Sequence, residues 1–258
     1  MKKKVIAIIP ARMASTRYPG KPIVDICGMS MIEHVWRRVR LNNKISEVYV
    51  ATCDKEIKIV AEAFGAKVIM TSDKHVRCTD RVTEACKKLL VQQNDFEIVI
   101  NVQGDEPLLN PVALDLTIDP FMLDPNIAVV NLIEELIGKE NINNVNNVKA
   151  VIDQRGYALY FSRFPVPNGD ETKHYKQLGI YGLTKETILK YEKMEITPLE
   201  IAESCDMLRF IENGIPIYAP LSPYITKGID TPADHEKVNE IMAQDKLFKQ
   251  YHDHGGTE

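Results

Sequence analysis

Two apolar patterns alternate along the first hundred positions. Val5-Ile6-Ala7-Ile8-Ile9 is continuous, which predicts a strand covered on both faces. After it, Ile32, Val35, Trp36 and Val39 recur at i, i+3, i+4, i+7, and Ser30-Met31-Ile32-Glu33 has the form of a capping box, so a helix is predicted there. A strand at 47–51, a helix near 54–64 and a strand at 67–70 follow. A helix from about Thr79 places Val82, Ala85, Cys86 and Leu89 on one face, and Glu97–Val102 reads as a strand. Strand and helix alternating at this spacing predict an α/β fold, a mostly parallel sheet with helices on both faces and right-handed crossovers.

The second half is less regular. The Asn-rich stretch 141–149 reads as a loop. A hairpin is expected next, Val148–Asp153 against Tyr157–Arg163 with its turn at 154–156. A polar loop at 167–175 leads into a strand at 177–182, and helices are expected at 184–194 and 199–213. The last helix begins at Thr231-Pro232, with Thr as cap and Pro in the first helical position, and the tail from 252 is expected to fray. No repeat, low-complexity tract or linker divides the chain. One domain over 1–258 is expected, with an embedded subregion at about 130–222.

Composition narrows the function class. A formal charge of -4 on 258 residues implies no general affinity for nucleic acid or anionic membrane, so any anion site must be local. The five cysteines are scattered, without CxxC or Cys/His ligand spacing, which suggests reduced thiols in a cytoplasmic protein. The apolar run Val5–Ile9 is too short for a signal core or a membrane span, and no other run approaches membrane length.

Polar residues gather where the predicted parallel strands end, and ligands of such sheets bind beyond those carboxyl ends. The strands end in Pro10-Ala11-Arg12, Thr52-Cys53-Asp54, Thr71-Ser72-Asp73 and Gln103-Gly104-Asp105-Glu106-Pro107. The stretch "IIPARMASTRYPGKP" (8–22) brings Arg12, Arg17 and Lys21 onto a backbone stiffened by three prolines, suited to polyphosphate or otherwise a solvated basic loop. It contains neither a P-loop nor a GxGxxG fingerprint. In "NVQGDEP", Asp105 follows a buried strand, where a carboxylate either holds Mg²⁺ or caps a helix. In "KGIDTP", Asp230 offers a second carboxylate just before a helix cap, with the same two readings.

Together "IIPARMASTRYPGKP", "VNVQGDEP", "YALYFSR", "LGIYG" and "GIDTP" resemble, in order and spacing across essentially the whole chain, the CMP-Kdo synthetases, the 3-deoxy-manno-octulosonate cytidylyltransferases. The resemblance implies a Rossmann-like nucleotidyltransferase fold with an embedded acceptor and dimerisation subregion. It also implies a cytoplasmic homodimer that transfers CMP from CTP to an acidic sugar with Mg²⁺ as cofactor. Carried onto this chain, Lys21, Asp105 and Asp230 are catalytic, and Asp105 and Asp230 are the metal ligands. The nucleotide side is Ala11, Arg12, Arg17, Lys21, Thr71, Thr79 and Asp105. The acceptor side is Gln103, Arg163, Gln177, Tyr181 and Glu203.

The chain departs from the family pattern around the acceptor. Arg77-Cys78-Thr79 stands where SGT is common, and Gln177, Leu183 and Met207 occupy positions commonly His, Tyr and Gln. Two readings stay open: Kdo as acceptor with drift around it, or another acceptor such as amino-Kdo or a different carboxylate or phosphonate, with Arg77 adding an anion contact. A non-catalytic nucleotide-binding subunit is the remaining alternative.

Overall fold

The computed structural model describes residues 3–14, 18–169, 172–224 and 226–252. The chain begins with β1 (Val5–Ala11), a 3-10 turn (Lys21–Ile23) and a small antiparallel pair, β2 (Asp25–Ile26) and β3 (Met29–Ser30). Then come α1 (Met31–Arg40), β4 (Ile45–Thr52), α2 (Lys55–Ala63), β5 (Lys67–Met70), α3 (Cys78–Val91) and β6 (Ile98–Val102). The middle contains α4 (Ala113–Leu123), β7 (Val129–Leu136), α5 (Lys139–Asn143), β8 (Lys149–Ile152), β9 (Ala158–Ser162) and β10 (His174–Thr184). Last are α6 (Lys185–Tyr191), α7 (Pro198–Glu203), α8 (Met207–Glu212), β11 (Ile217–Tyr218), α9 (Pro232–Gln244) and α10 (Lys246–His252).

The main sheet runs β11-β7-β10-β6-β1-β4-β5, and β8 extends it from β10, carrying β9. β1 is parallel to both β4 and β6, β4 to β5, and β11 to β7, while β10 is antiparallel to its neighbours. Alternating side chains of β1 feed opposite faces. Ile6 and Ile8 pack with Val82, Cys86, Ile188 and Leu208, whereas Val5, Ala7 and Ile9 pack with Val35, Ile57 and Ile118. Both faces of the strand are therefore buried under helices, as its unbroken apolar run requires. From β1 the chain winds outward to β4 and β5, then crosses back to place β6 on the other side of β1. The crevice between the carboxyl ends of β1 and β6 is thus the topological switch point, where an open α/β sheet leaves room for a ligand.

Several expectations are corrected. The stretch before 129 contains α4, which continues through Pro120, a residue that otherwise signals a helix end. β7 was not apparent in the pattern, because Asn131 interrupts its apolar run. β10 starts at His174, inside the expected polar loop, because Tyr175 and Lys176 pair with Ala150 and Lys149 of β8. Residues 139–143, partly within the expected Asn-rich loop, form α5. The single helix expected over 199–213 is two, α7 and α8, broken at Ser204, whose φ of 51° is left-handed. Ser30 occupies the cap position of α1 but its hydroxyl has no partner among the described residues, so the capping box does not form. The Met31 N–H goes instead to the Val24 carbonyl (2.9 Å), and Glu33 accepts from Arg37 (2.8 Å).

Candidate active site

Three segments meet at the switch point: the residues after β1, the loop after β6 and the segment before α9. Gly104 lets the first two touch, since a Cβ there would lie 3.0 Å from Ile32 Cδ1 and 3.1 Å from the Pro10 carbonyl. The third docks through the Ile229 N–H, which donates to the Asp105 carbonyl (3.0 Å). Gly20, at φ 74°, and Pro22 bend the backbone into the 3-10 turn that directs Lys21 inward. Lys21 Nζ donates to Asp105 Oδ2 (2.7 Å), to the Ile229 carbonyl (2.7 Å) and to Asp230 Oδ1 (3.2 Å). Burial by itself lowers the lysine's pKa, but Asp105 and Asp230 outweigh it and hold the ammonium above its ordinary value. Next to them, burial and then the Asp105 charge push the Glu106 carboxyl up to about 8, and Glu106 Oε2 has no partner among the described residues.

Arg12 leaves β1 exposed, and Ala11 and Arg12 line a pocket of about 80 Å³ with Arg77, Cys78 and Arg81. The loop after Arg12 is tied to the cap residue of α2 by the Met13 N–H, which donates to Asp54 Oδ2 (2.8 Å). Arg17 lies outside the described residues. Thr71 is buried and its hydroxyl accepts from the Arg81 guanidinium, so it lines the pocket through an arginine. Thr79 is fully buried as well: its Oγ1 donates to Asp206 Oδ2 (2.6 Å) and shares a hydrogen bond with Tyr181 Oη (2.6 Å). Burial and the Asp206 and Asp105 charges push the Cys78 thiol up to about 12, so it stays protonated near neutral pH.

The residues assigned to the acceptor converge on the short turn between α7 and α8. The Arg163 N–H donates to Glu203 Oε2 (2.7 Å), while its guanidinium donates to the carbonyls of Glu203 (2.8 Å), Val145 (3.0 Å) and Ser204 (3.4 Å). Glu203 Oε1 also accepts from Ser162 (2.9 Å) and Tyr160 (3.2 Å). Gln177 accepts from Cys205 Sγ (3.3 Å) and donates to Asn131 Oδ1 (2.7 Å). Tyr181 reaches Asp206 through Thr79. Gln103 lies against the gap between these residues: β10 loses register with β7 between Gln177 and Tyr181, and a Cβ on Gly179 would sit 2.4 Å from the Gln103 side chain. Arg77 is bonded to protein groups, donating to Ser204 Oγ (2.6 Å) and the Glu200 carbonyl (3.4 Å), in place of the open anion contact expected of it.

Three of these residues escaped the sequence reading. Asp206 and Arg81 had no spacing that set them apart. Asn131 did carry a signal, as a lone amide inside the apolar run Val129–Ile133, and its Nδ2 donates to the Leu178 and Ile180 carbonyls (2.9 and 3.2 Å) that β10 leaves unpaired. A larger groove of about 760 Å³ lies between α3 and the end of α6, but Lys87–Glu192 and Lys88–Glu84 pair its charges internally. The chemistry-bearing groups are therefore at the strand ends.

Comparison with known proteins agrees with this fold. The cytidylyltransferase family model matches residues 6–217. A 3-deoxy-manno-octulosonate cytidylyltransferase of Thermodesulfovibrio yellowstonii is 42% identical, over 92% of this chain and 97% of that protein. An 8-amino-3,8-dideoxy-manno-octulosonate cytidylyltransferase of a Shewanella species is 40% identical, over 93% of this chain and 98% of its own. Among solved structures, a CMP:2-keto-3-deoxy-manno-octonic acid synthetase complexed with CTP superposes with a TM-score of 0.86 at 36% identity, covering 93% of this chain and 99% of that one. The chain is a member of the 3-deoxy-manno-octulosonate cytidylyltransferase family.

Proposed function

We propose that the chain transfers CMP from CTP to the anomeric hydroxyl of 3-deoxy-manno-octulosonate or a closely related acidic sugar, releasing pyrophosphate, with Mg²⁺ held by Asp105 and Asp230. The observation that carries this reading is the Lys21 ammonium held between those two carboxylates at the switch point, 2.7 and 3.2 Å away. Two carboxylates from separate loops that converge on one cation form a donor set suited to Mg²⁺, which takes one or two carboxylates and completes its octahedron with water and phosphate oxygens. When bound, the metal supplies charge neutralisation at the transferring phosphate and lowers the pKa of the attacking hydroxyl.

The chain's own residues do the remainder. Lys21, held cationic by its two carboxylate partners, neutralises charge on the triphosphate, and Arg12 adds a guanidinium donor on the solvent side of the same crevice, with Arg17 assigned to the same task by the family resemblance alone. Ala11, Thr71 and Thr79 shape the nucleotide side, the threonines through Arg81 and Asp206. Arg163 meets the acceptor's carboxylate with the guanidinium edge whose bond to Ser204 is its longest (3.4 Å), while Gln177, Tyr181 and Glu203 hold the surrounding turn and Gln103 lines the acceptor side against Gly179. Among the described residues no helix is long and apolar enough to cross a membrane. The same reading has the chain working as a cytoplasmic homodimer that activates its sugar for lipopolysaccharide or capsule synthesis.

The test is pyrophosphate release from CTP over a panel containing Kdo, its 8-amino analogue, other acidic sugars and phosphonates. Turnover with an octulosonate is expected, to disappear with EDTA and return with Mg²⁺. Asp105→Asn is expected to lower turnover at least about a hundredfold, the scale on which a preorganised electrostatic group acts, while leaving the circular dichroism spectrum intact. Turnover with no acceptor overturns the reading, and unchanged activity of Asp105→Asn overturns the metal assignment.

A further inference from the structure

We propose that Arg77 is a positioning residue that sets acceptor affinity by holding the turn Glu203–Asp206 in place, an inference that rests on the cytidylyl-transfer reading above. Arg77 stands at the cap position of α3, on the wall of the small pocket beside Ala11 and Arg12, yet it makes no side-chain cap bond to its own helix. Its guanidinium crosses instead to α7 and the turn after it. Nη1 donates to Ser204 Oγ (2.6 Å), Nη2 to the Glu200 carbonyl (3.4 Å), and Nε lies 3.7 Å from Glu200 Oε1. With 22% of its side chain exposed, Arg77 lies beside the fully buried Glu200 carboxylate, which Arg209 holds with two bonds of 2.6 Å, while the Arg77 bond to Ser204 is exposed.

What Arg77 grips is an exposed residue in a left-handed conformation. Ser204 is one of three non-glycine residues with positive φ among those described, and such a conformation persists only where the surroundings hold it. Two arginines do so from opposite sides, Arg77 on the hydroxyl and Arg163 on the carbonyl. The residues on either side each bind a group assigned to the acceptor: Glu203 takes the Arg163 N–H, Cys205 bonds Gln177, and Asp206 reaches Tyr181 through Thr79. Arg77 is thus a second tie, beside Thr79–Asp206, between the wall of the nucleotide-side pocket and the segment on which the acceptor-side residues are hung. A guanidinium suits that place because it reaches a hydroxyl and a carbonyl on different turns at once, which a lysine ammonium does less rigidly.

The experiment is steady-state pyrophosphate release by the full chain, with CTP and the octulosonate varied separately, for wild type, R77S, R77K, S204A and R77S/S204A. R77S is expected to raise the acceptor KM about tenfold while the CTP KM stays within about twofold and most of kcat is kept. R77K is expected to recover part of the loss. S204A is expected to reproduce the part of it carried by the Arg77–Ser204 bond, and the double variant to be no worse than R77S, because that bond is already lost in R77S. An acceptor KM within about twofold of wild type in both R77S and S204A overturns the inference, as does a CTP KM that rises in step with the acceptor KM. Absence of turnover in the wild-type chain overturns the cytidylyl-transfer reading itself, and Arg77's role with it.

Discussion

Lys21 finds Asp105 at a separation of 84 positions and Asp230 at 209, and each of the three sits in a stretch whose small or rigid neighbours control the backbone. The two glycines of "LGIYG" illustrate how differently one residue type can act. A Cβ on Gly182 would lie 2.7 Å from Phe121 Cε2 and 2.9 Å from Ile100 Cδ1, inside the core. Gly182→Ala is therefore expected to overpack, costing about 1–3 kcal/mol in urea unfolding with little direct effect on the site. On Gly179 the Cβ would lie 2.4 Å from the Gln103 side chain, which is free to swing away. Gly179→Ala is expected to keep most of the stability and to lower kcat/KM for transfer about tenfold, through a displaced Gln103. If the two variants lose stability equally and activity not at all, Gln103 has no place in the site. Both glycines were legible in the sequence as motif members, but the different reasons for them were not, because what a Cβ strikes depends on the strand opposite.

Two helices carry the same kind of start signal, and only one uses it. At α9 the Thr231 hydroxyl accepts from the Asp234 N–H (3.2 Å) and Asp234 accepts from the Thr231 N–H (3.0 Å), a completed capping box. Burial opposes the Asp234 charge, but the Thr231 hydroxyl and the N–H groups of Asp230 and Thr231 win and hold its carboxyl below the usual range. Asp234 accordingly contributes stability above the unfolded pKa and loses it as pH falls through the lower folded value. At α1 the helix packs through Met31, Ile32 and Val35, its first N–H is satisfied by Val24 and Glu33 is turned to Arg37, so neither half of the box forms. Thr231→Ala is expected to cost about 1 kcal/mol, and because Asp230 precedes the cap, to weaken turnover as well. Ser30→Ala removes a buried hydroxyl with no partner among the described residues, and is expected to be neutral or slightly stabilising in thermal unfolding. Equal losses in the two variants would contradict this account.

At the scale of the molecule, a third cluster joins the start of the chain to its end. Ile26 and Met31 pack with Val238, Met242, Phe248 and Tyr251, so α9 and α10 close over β2 and the first turn of α1. His34 lies at its centre, fully buried, with Nε2 donating to the Ile26 carbonyl (2.7 Å) and Nδ1 accepting from Tyr251 Oη (2.7 Å). Burial, followed by the neighbouring Arg38 and Arg37 charges, outweighs the Ile26 bond and Asp25 and lowers its pKa to about 4. The unfolded chain, with an ordinary imidazole, binds the proton more readily throughout the interval from pH 6.5 down to about 4, so stability falls with pH across it. The full effect is on the order of 3 kcal/mol. His34→Gln is expected to flatten the melting temperature between pH 7 and pH 4.5 relative to wild type; parallel curves would show that other groups carry the acid sensitivity.

Local order along the first half of the chain was determined by the sequence alone. A continuous apolar run is buried on two faces and a 3.6-residue period on one, so the alternation of strands and helices, and hence a wound sheet with its ligand crevice at the strand ends, follows from short-range pattern. Arg12 and Asp105 stood out because each follows the end of a strand pattern, whereas Lys21 and Asp230 were singled out by their loops and all four roles were assigned by the family resemblance. Tertiary structure decided the rest. The antiparallel place of β10, its early start on β8, the break at Ser204 and the use of Arg77 all depend on partners distant in the chain. Hydrogen bonds and packing between such partners override local propensity without leaving a periodicity to read.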